Sequence, residues 1–159
     1  MRSPGLARGS SPPRFVADDS DFAVEAVRIV ERRGVQDFGT DIVAAPADNR
    51  GGLSGWQQKR LSGYIDAHLG EALRLAALAQ LVGLSPFHFA RAFKQSFGVP
   101  PQRYHVGRRI ARAKDLLDDS TYSVTAIARD LGFAETSSFS ATFRRVTGTS
   151  PIRYRRERR

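Results

Sequence analysis

The sequence predicts an all-α fold of about seven helices, in which a long linker helix joins two helix-turn-helix subdomains. Two observations carry this prediction. Apolar residues recur at helical spacing without sustained strand alternation, and a pattern of helix, glycine turn and helix occurs twice. The 159 residues suffice for one domain of ordinary size plus a tail, and we predict a poorly ordered N-terminal segment ahead of the helices.

Residues 1–52 differ in composition from the rest of the chain. The first residues, to about position 20, are rich in Ser, Pro, Gly and Arg, which predicts disorder. Residues 22–33 have the spacing of one short amphipathic helix, and residues 46–55 have the composition of a linker. We therefore interpret 1–52 as a segment that is largely disordered or is a short remnant of a regulatory region, and 53–159 as the helical domain.

The first unit, about residues 56–98, opens with a capping box. Ser54 precedes Gln57 by three residues, a spacing in which each side chain can bond the other's backbone N–H. A second helix runs from about residue 75 to 82 and stops at Gly83. The apolar stripe of the first helix is predicted to hold Leu61, Tyr64, Ile65 and Leu69.

A third helix and a long fourth helix follow. Ser85 and Pro86 have the residue types of an N-cap and a first helical position, and Gly98 ends the third helix. The fourth is an arginine-rich linker helix, about residues 101–118, in which Gly107 costs about 1 kcal/mol of helix propensity. The buried face of the third helix is predicted to hold Phe89, Phe93 and Phe97.

The second unit, about residues 123–156, repeats the first. Ser123 caps its first helix, and Ser150 with Pro151 begins a short last helix. The small residues Ala79 and Ala128, 49 positions apart, are expected where the two helices of each unit cross closely. Six further residues recur after 50 positions: Phe89, Phe93, Gly98, Pro101, Arg103 and Tyr104 match Phe139, Phe143, Gly148, Pro151, Arg153 and Tyr154.

The excess of positive over negative charge lies entirely in the helical part. Residues 1–52 hold seven Lys/Arg and eight Asp/Glu, a net charge of −1, whereas residues 53–159 hold eighteen and eight, a net charge of +10. A compact basic domain points to a polyanionic partner, and a merely soluble basic surface is the alternative on charge alone. The absence of cysteine excludes disulfides and thiolate metal sites, which fits a reducing cytoplasm.

The helix faces opposite the buried phenylalanines are the candidate nucleic-acid surfaces. The stripe on the third helix holds Phe87, Ala90, Arg91 and Lys94, and that on the sixth helix holds Ser137, Ser140, Ala141 and Arg144. Small residues permit close approach to the major groove, side chains near the helix N-terminus read base edges, and later cations reach phosphates. An ordinary solvated face is the alternative. Phe87 either contacts a thymine methyl group or folds back onto a neighbouring helix.

These residues resemble the C-terminal DNA-binding domain of the AraC/XylS transcription regulators. The resemblance covers about residues 55–156, and its matching stretches are LAALAQLVGLSPFHFARAFKQSFGVPPQRY and IARDLGFAETSSFSATFRRVTGTSPIRYR, joined by GRRIARAKDLL. The resemblance implies a regulator that binds double-stranded DNA sequence-specifically by inserting two recognition helices into successive major-groove segments. It implies base reading by Phe87, Ala90, Arg91, Thr136, Ser137, Ser140 and Ala141, and we assign phosphate contacts to Lys94, Arg144 and Arg145.

Three features depart from the family pattern. Arg74 stands at an N-cap where Ser, Thr or Asp is usual, and Ala141 stands where some members carry Arg. The first 52 residues are too short for the effector-binding barrel of many members, so the small-molecule effector stays unknown. RNA polymerase is a candidate second partner, and we expect no membrane partner because no apolar run approaches the roughly 18 residues that a span needs.

Other classes of protein compete with this interpretation. The three histidines, His68, His88 and His105, lack a spaced carboxylate or cysteine partner, and no nucleotide-binding or hydrolase motif occurs, so we predict no enzyme, no metal and no cofactor. Non-specific nucleic-acid binding and a helical protein-interaction module stay open as alternatives. We expect Trp56 to be a packing anchor, and the protein to act in the bacterial cytoplasm at the nucleoid.

Overall fold

A computed structural model describes residues 51–119 and 121–158, and in these residues all regular structure is helical. The all-α prediction and the two helix-turn-helix units joined by a long helix are confirmed. The helix predicted over 22–33 and the disorder predicted for the N-terminal segment lie outside the described residues. The seven described helices are α1 Gly55–Ala67, α2 Leu75–Leu81, α3 Pro86–Phe97, α4 Pro101–Asp118, α5 Val124–Asp130, α6 Thr136–Thr147 and α7 Pro151–Glu157.

Serine side chains start four of these helices. The hydroxyl oxygen of each accepts a hydrogen bond from a backbone N–H three residues later, which satisfies a donor that the first helical turn leaves unpaired. At α1 the bond is reciprocal, because the Gln57 side chain also accepts from the Ser54 N–H at 2.9 Å. The four capping residues are Ser54, Ser85, Ser123 and Ser150, as the sequence predicts.

A glycine residue forms the C-cap of both α3 and α6. Gly98 and Gly148 have φ angles of 80° and 81°, a left-handed conformation that a side chain disfavours. Each N–H donates at 2.8 Å to the carbonyl four residues earlier. The N-cap residues of α2 and α6 are Arg74 and Glu135, and neither makes a side-chain capping bond.

The two units repeat in geometry as well as in sequence. The rings of Phe93 and Tyr104 meet edge to face at 5.5 Å and 75°, and those of Phe143 and Tyr154 do so at 5.4 Å and 79°. Such aromatic pairs contribute about 0.5–1.5 kcal/mol beyond the burial of their area. The predicted close crossings are also confirmed, since Ala79 and Ala128 are each 1% exposed.

Helix α4 belongs to both hydrophobic cores. Its first half contributes Tyr104 to the core of the first unit, and its second half contributes Ile110, Ala113 and Leu117 to the core of the second unit. Leu69, in the loop after α1, packs against both cores. One continuous helix is therefore a wall of each unit. No helix of the described residues is long and apolar enough to cross a membrane.

Leu69 lies in the loop after α1 rather than on the stripe predicted for this helix, because α1 ends at Ala67. Two further expectations for α1 are wrong: Trp56 is 61% exposed rather than a packing anchor, and Tyr64 is 36% exposed rather than part of the core. The reason is that α1 buries only a narrow stripe, Leu61 and Ile65, one helical turn apart. The Tyr64 ring stacks instead on the ring of His68, with the centroids 4.1 Å apart.

His105 is the one polar or charged residue buried within the described part of the chain, at 3% exposure. Its Nε2 atom has no hydrogen-bond partner there. Burial, and next the positive charge of Arg109, lower the pKa of His105 to about 4, although hydrogen bonds to the carbonyls of Leu69 and His68 oppose this shift. The imidazole is therefore neutral at neutral pH.

This burial predicts a loss of stability in mild acid. The pKa of His105 falls from 6.5 to about 4 on folding, so between these values the unfolded state binds more protons, and stability drops as pH falls. The free energy of unfolding should lose about 2 kcal/mol to this group between pH 7 and pH 4.5. Urea unfolding of the wild type and of His105→Gln at both pH values measures it. Equal pH dependence in the two proteins would contradict the assignment.

Candidate nucleic-acid interface

Helix α3 turns a mixed apolar and basic stripe to solvent. Phe89 and Phe93 are fully buried on its inner side. On the outer side Phe87 is 78% exposed, so the alternative in which its ring folds back onto a neighbouring helix is wrong. The other predicted members of this stripe are Ala90, which is half-buried, and Arg91 and Lys94, which are exposed.

Helix α6 presents a more polar stripe with shorter side chains. Phe139, Phe143 and Val146 are buried behind it. Ser137 and Ala141 are exposed. The remaining residues predicted at this surface are Thr136 and Ser140, which are half-buried, and Arg144 and Arg145, which are exposed in the last turn of the helix.

The cations of the two stripes are not neutralised by neighbouring carboxylates. Other arginines form ion pairs: Arg108 Nη2 lies 2.5 Å from Asp66 Oδ2, and Arg158 Nη1 lies 2.8 Å from Asp118 Oδ2. Within residues 51–119 and 121–158 no such ion pair involves Arg91, Lys94, Arg144 or Arg145. Their charge is therefore available to a polyanion, which is what contact with a phosphate backbone requires.

Glu135 is a residue at this surface that the sequence analysis missed. It is the N-cap of α6, and its Oε2 atom accepts a hydrogen bond from the Ser137 hydroxyl at 3.0 Å. The Ser137 hydroxyl uses its one donor in this bond, so its oxygen and the neighbouring carboxylate offer only acceptors to a partner at this surface. An acidic residue two positions before a serine at a helix start is a local signal that could have identified it.

A helix-turn-helix domain family matches residues 78–157, half of the chain, which spans the end of α2 through α7 and contains both stripes. The chain belongs to the AraC-type helix-turn-helix family. It is 39% identical over 101 residues to the regulatory protein PocR of Salmonella typhimurium, covering 64% of this chain and 33% of PocR. It is 40% identical over 98 residues to the transcriptional activator RhaS of Escherichia fergusonii, covering 62% of this chain and 35% of RhaS.

The chain thus spans about a third of the length of these relatives, and both relatives carry the names of regulators rather than enzymes.

Solved DNA-binding domains share the fold of this chain. A transcriptional regulator from Chromobacterium violaceum superposes with a TM-score of 0.61 at 29% identity, covering 64% of this chain and 91% of that chain. The DNA-binding domain of AdpA, solved with a target DNA, gives a TM-score of 0.58 at 30% identity, covering 62% and 89%.

The position of Glu135 generates a prediction for this AraC-type surface. Glu135→Gln keeps the size of the side chain but removes a charge that repels phosphates, so binding to unrelated duplex should strengthen about two- to threefold at low ionic strength and much less at high salt. Fluorescence anisotropy with a labelled duplex of arbitrary sequence measures it. Asp115→Asn, which neutralises an exposed carboxylate of α4 outside both stripes, is the matched control. Equal strengthening by both substitutions would show that only net charge matters.

Proposed function

We propose that this protein is a sequence-specific regulator of transcription that binds double-stranded DNA, with α3 and α6 inserted into successive segments of the major groove. The observation that carries the proposal is the pair of outward stripes on equivalent helices, each with exposed cations that pair with no carboxylate of the described residues. The solved AdpA domain, which has a similar fold and is bound to a target DNA, supports DNA as the partner by analogy.

In the first unit we assign base reading to α3. Arg91 carries five donors in a planar fork that matches the two acceptors on the guanine edge. The exposed ring of Phe87 suits the methyl group of thymine, a contact that would also cover an apolar ring now facing water. Ala90 is small enough to let the helix approach the bases, and Lys94, in the last turn, reaches a phosphate.

In the second unit the assigned reading residues are shorter. Ser137, Ser140 and Ala141 make weak or water-mediated contacts at most, and Thr136 lies half-buried at the first position of α6. Arg144 and Arg145, in the last turn, hold the helix on the phosphates. We therefore propose an asymmetric site, in which α3 defines one part sharply and α6 tolerates substitution in the other part.

The wider assignments follow from this proposal. Residues 53–159 are the DNA-binding domain, with a first unit at about 56–98, a linker helix at about 101–118 and a second unit at about 123–156. RNA polymerase is a candidate second partner, because a regulator must act on the transcription machinery, and no effector is assigned to residues 1–52. The protein would act in the cytoplasm at the nucleoid, where bacterial promoters are.

The basic charge also suits non-specific nucleic-acid binding, and one experiment separates the two functions. Residues 53–159 alone should select a preferred duplex from random sequence. For the three assigned phosphate contacts, affinity for it should fall at least roughly 40-fold between 50 and 200 mM salt. Selection followed by binding titrations measures both quantities, with duplex RNA as the competitor. A folded fragment that shows no preference among sequences would leave only non-specific binding.

Arg91 and Arg144 differ in predicted role although both are exposed arginines on equivalent helices. Arg91→Ala should cost about 1–3 kcal/mol on the preferred duplex and relax specificity at one position. Arg144→Ala should weaken all duplexes alike and lower the salt dependence by about one counterion. Affinities measured against a panel of single-base variants of the site distinguish the two patterns. A change of base preference in Arg144→Ala but not in Arg91→Ala would reverse the assignment.

A further inference from the structure

The two units touch at a junction that is separate from both stripes. Gly70, in the loop between α1 and α2, lies against the turn between α5 and α6. A Cβ atom on Gly70 would lie 2.7 Å from the carbonyl oxygen of Asp130, and a Cβ atom on Gly132 would collide with the carbonyl of Gly70. Backbone therefore meets backbone, and no side chain fits between the two units at this point.

Arg109, on α4, contacts both sides of this junction. Its Nε atom donates to the carbonyl of Leu69 at 2.6 Å, and its Nη2 atom donates to the carbonyl of Glu71 at 2.9 Å. The same guanidinium lies over the ring of Phe133, with 5.5 Å between its central carbon and the ring centroid. One side chain thus holds the loop of the first unit, the linker helix and the turn of the second unit together.

The contacts continue from Arg109 to the DNA-facing helix of the second unit. Phe133 meets Phe139 edge to face at 5.3 Å and 62°. Phe139 is fully buried and lies on the inner face of α6. On the other side, the loop that Arg109 holds leads directly into α2, which packs against α3. The orientation of α3 relative to α6 is therefore connected to one guanidinium.

We propose that Arg109 is a positioning residue that fixes the angle between the two units and so sets the spacing of the two parts of the DNA site. Two units that share one helix can still twist relative to each other as far as that helix flexes, whereas a second connection away from its axis opposes this motion. The inference rests on the proposed function, since a fixed angle becomes a fixed spacing only if α3 and α6 occupy the same duplex.

Neighbouring arginines on α4 provide a matched pair of variants. Arg108 and Arg109 are both half-buried, but Arg108 bonds Asp66 of α1, within the first unit, through its Nε and Nη2 atoms. Arg108→Gln breaks that bond and leaves the junction intact. Arg109→Gln removes the guanidinium group and its charge. Arg109→Lys keeps the charge, but its single ammonium group cannot contact both carbonyls and the Phe133 ring at the same time. Circular dichroism is measured first, and the comparison uses only variants that keep the helicity of the wild type.

The DNA experiment varies the spacing within the duplex that the wild-type chain prefers. Each inserted or deleted base pair rotates one part of the site by about 35° relative to the other. We expect wild type and Arg108→Gln to lose about tenfold or more in affinity for a change of one base pair, and Arg109→Gln to lose less than about threefold, with Arg109→Lys intermediate. A uniform loss by Arg109→Gln at every spacing would overturn the proposal, because it would show only general destabilisation.

A second experiment needs no DNA. The chain has no cysteine, so Gln80→Cys in α2 and Arg129→Cys in α5 provide unique sites for two spin labels at exposed, equivalent positions. Pulsed dipolar spectroscopy should give a narrow distance distribution for the parent and for Arg108→Gln, and one about twice as wide for Arg109→Gln. An unchanged width in Arg109→Gln would overturn the proposal. Broadening in a protein that shows no sequence preference would support the junction while refuting the proposed function.

Discussion

One pair of buried phenylalanines, four residues apart, fixes which face of α3 is left for DNA, and an equivalent pair does the same for α6. Phe89 and Phe93 meet at 5.6 Å and 60°, and Phe139 and Phe143 meet at 5.7 Å and 57°, so both helices are rotated alike about their axes. A helix fixed by two buried rings one turn apart has no freedom to roll. Everything on the outer stripes, including the exposed ring of Phe87, follows from this packing.

The same framework supports two different chemistries. Because the core of each unit is built from buried apolar residues on the inner faces of the helices, the outer residues can differ between units at little cost to the fold. The outer surface of the first unit carries a phenyl ring (Phe87) and a guanidinium group (Arg91). That of the second unit carries serine hydroxyls and the carboxylate of Glu135. In our proposal this difference in outer residues, on one shared framework, makes the DNA site asymmetric. In the same proposal, the junction at Arg109 and the linker helix α4 set only the position of α6 relative to α3 on the DNA.

Local features of the fold could be predicted from the sequence, and contacts between distant residues could not. The caps were predictable because a cap such as Ser123, or an end such as Gly98, acts within four residues. Trp56 was misplaced because periodicity does not show how wide a buried stripe is. The bonds of Arg109 cross about 40 positions, and the contact of Gly132 crosses more, so no local pattern indicates them. The stripes were located correctly since they lie opposite recognisable phenylalanines, but the roles of their residues on DNA are still proposals.

The central claim is that two rigidly connected units contact DNA with unequal sequence specificity, α3 strongly and α6 weakly. Selection of bound sites from random duplex DNA with the whole chain tests this claim most directly. We expect enrichment of an asymmetric motif at one fixed spacing. One part should be strictly defined, and the other, centred about one helical turn away, should tolerate substitution. A motif with two equally strict parts would contradict the assignment of weak reading to α6, and the absence of any enriched motif would contradict sequence-specific binding itself.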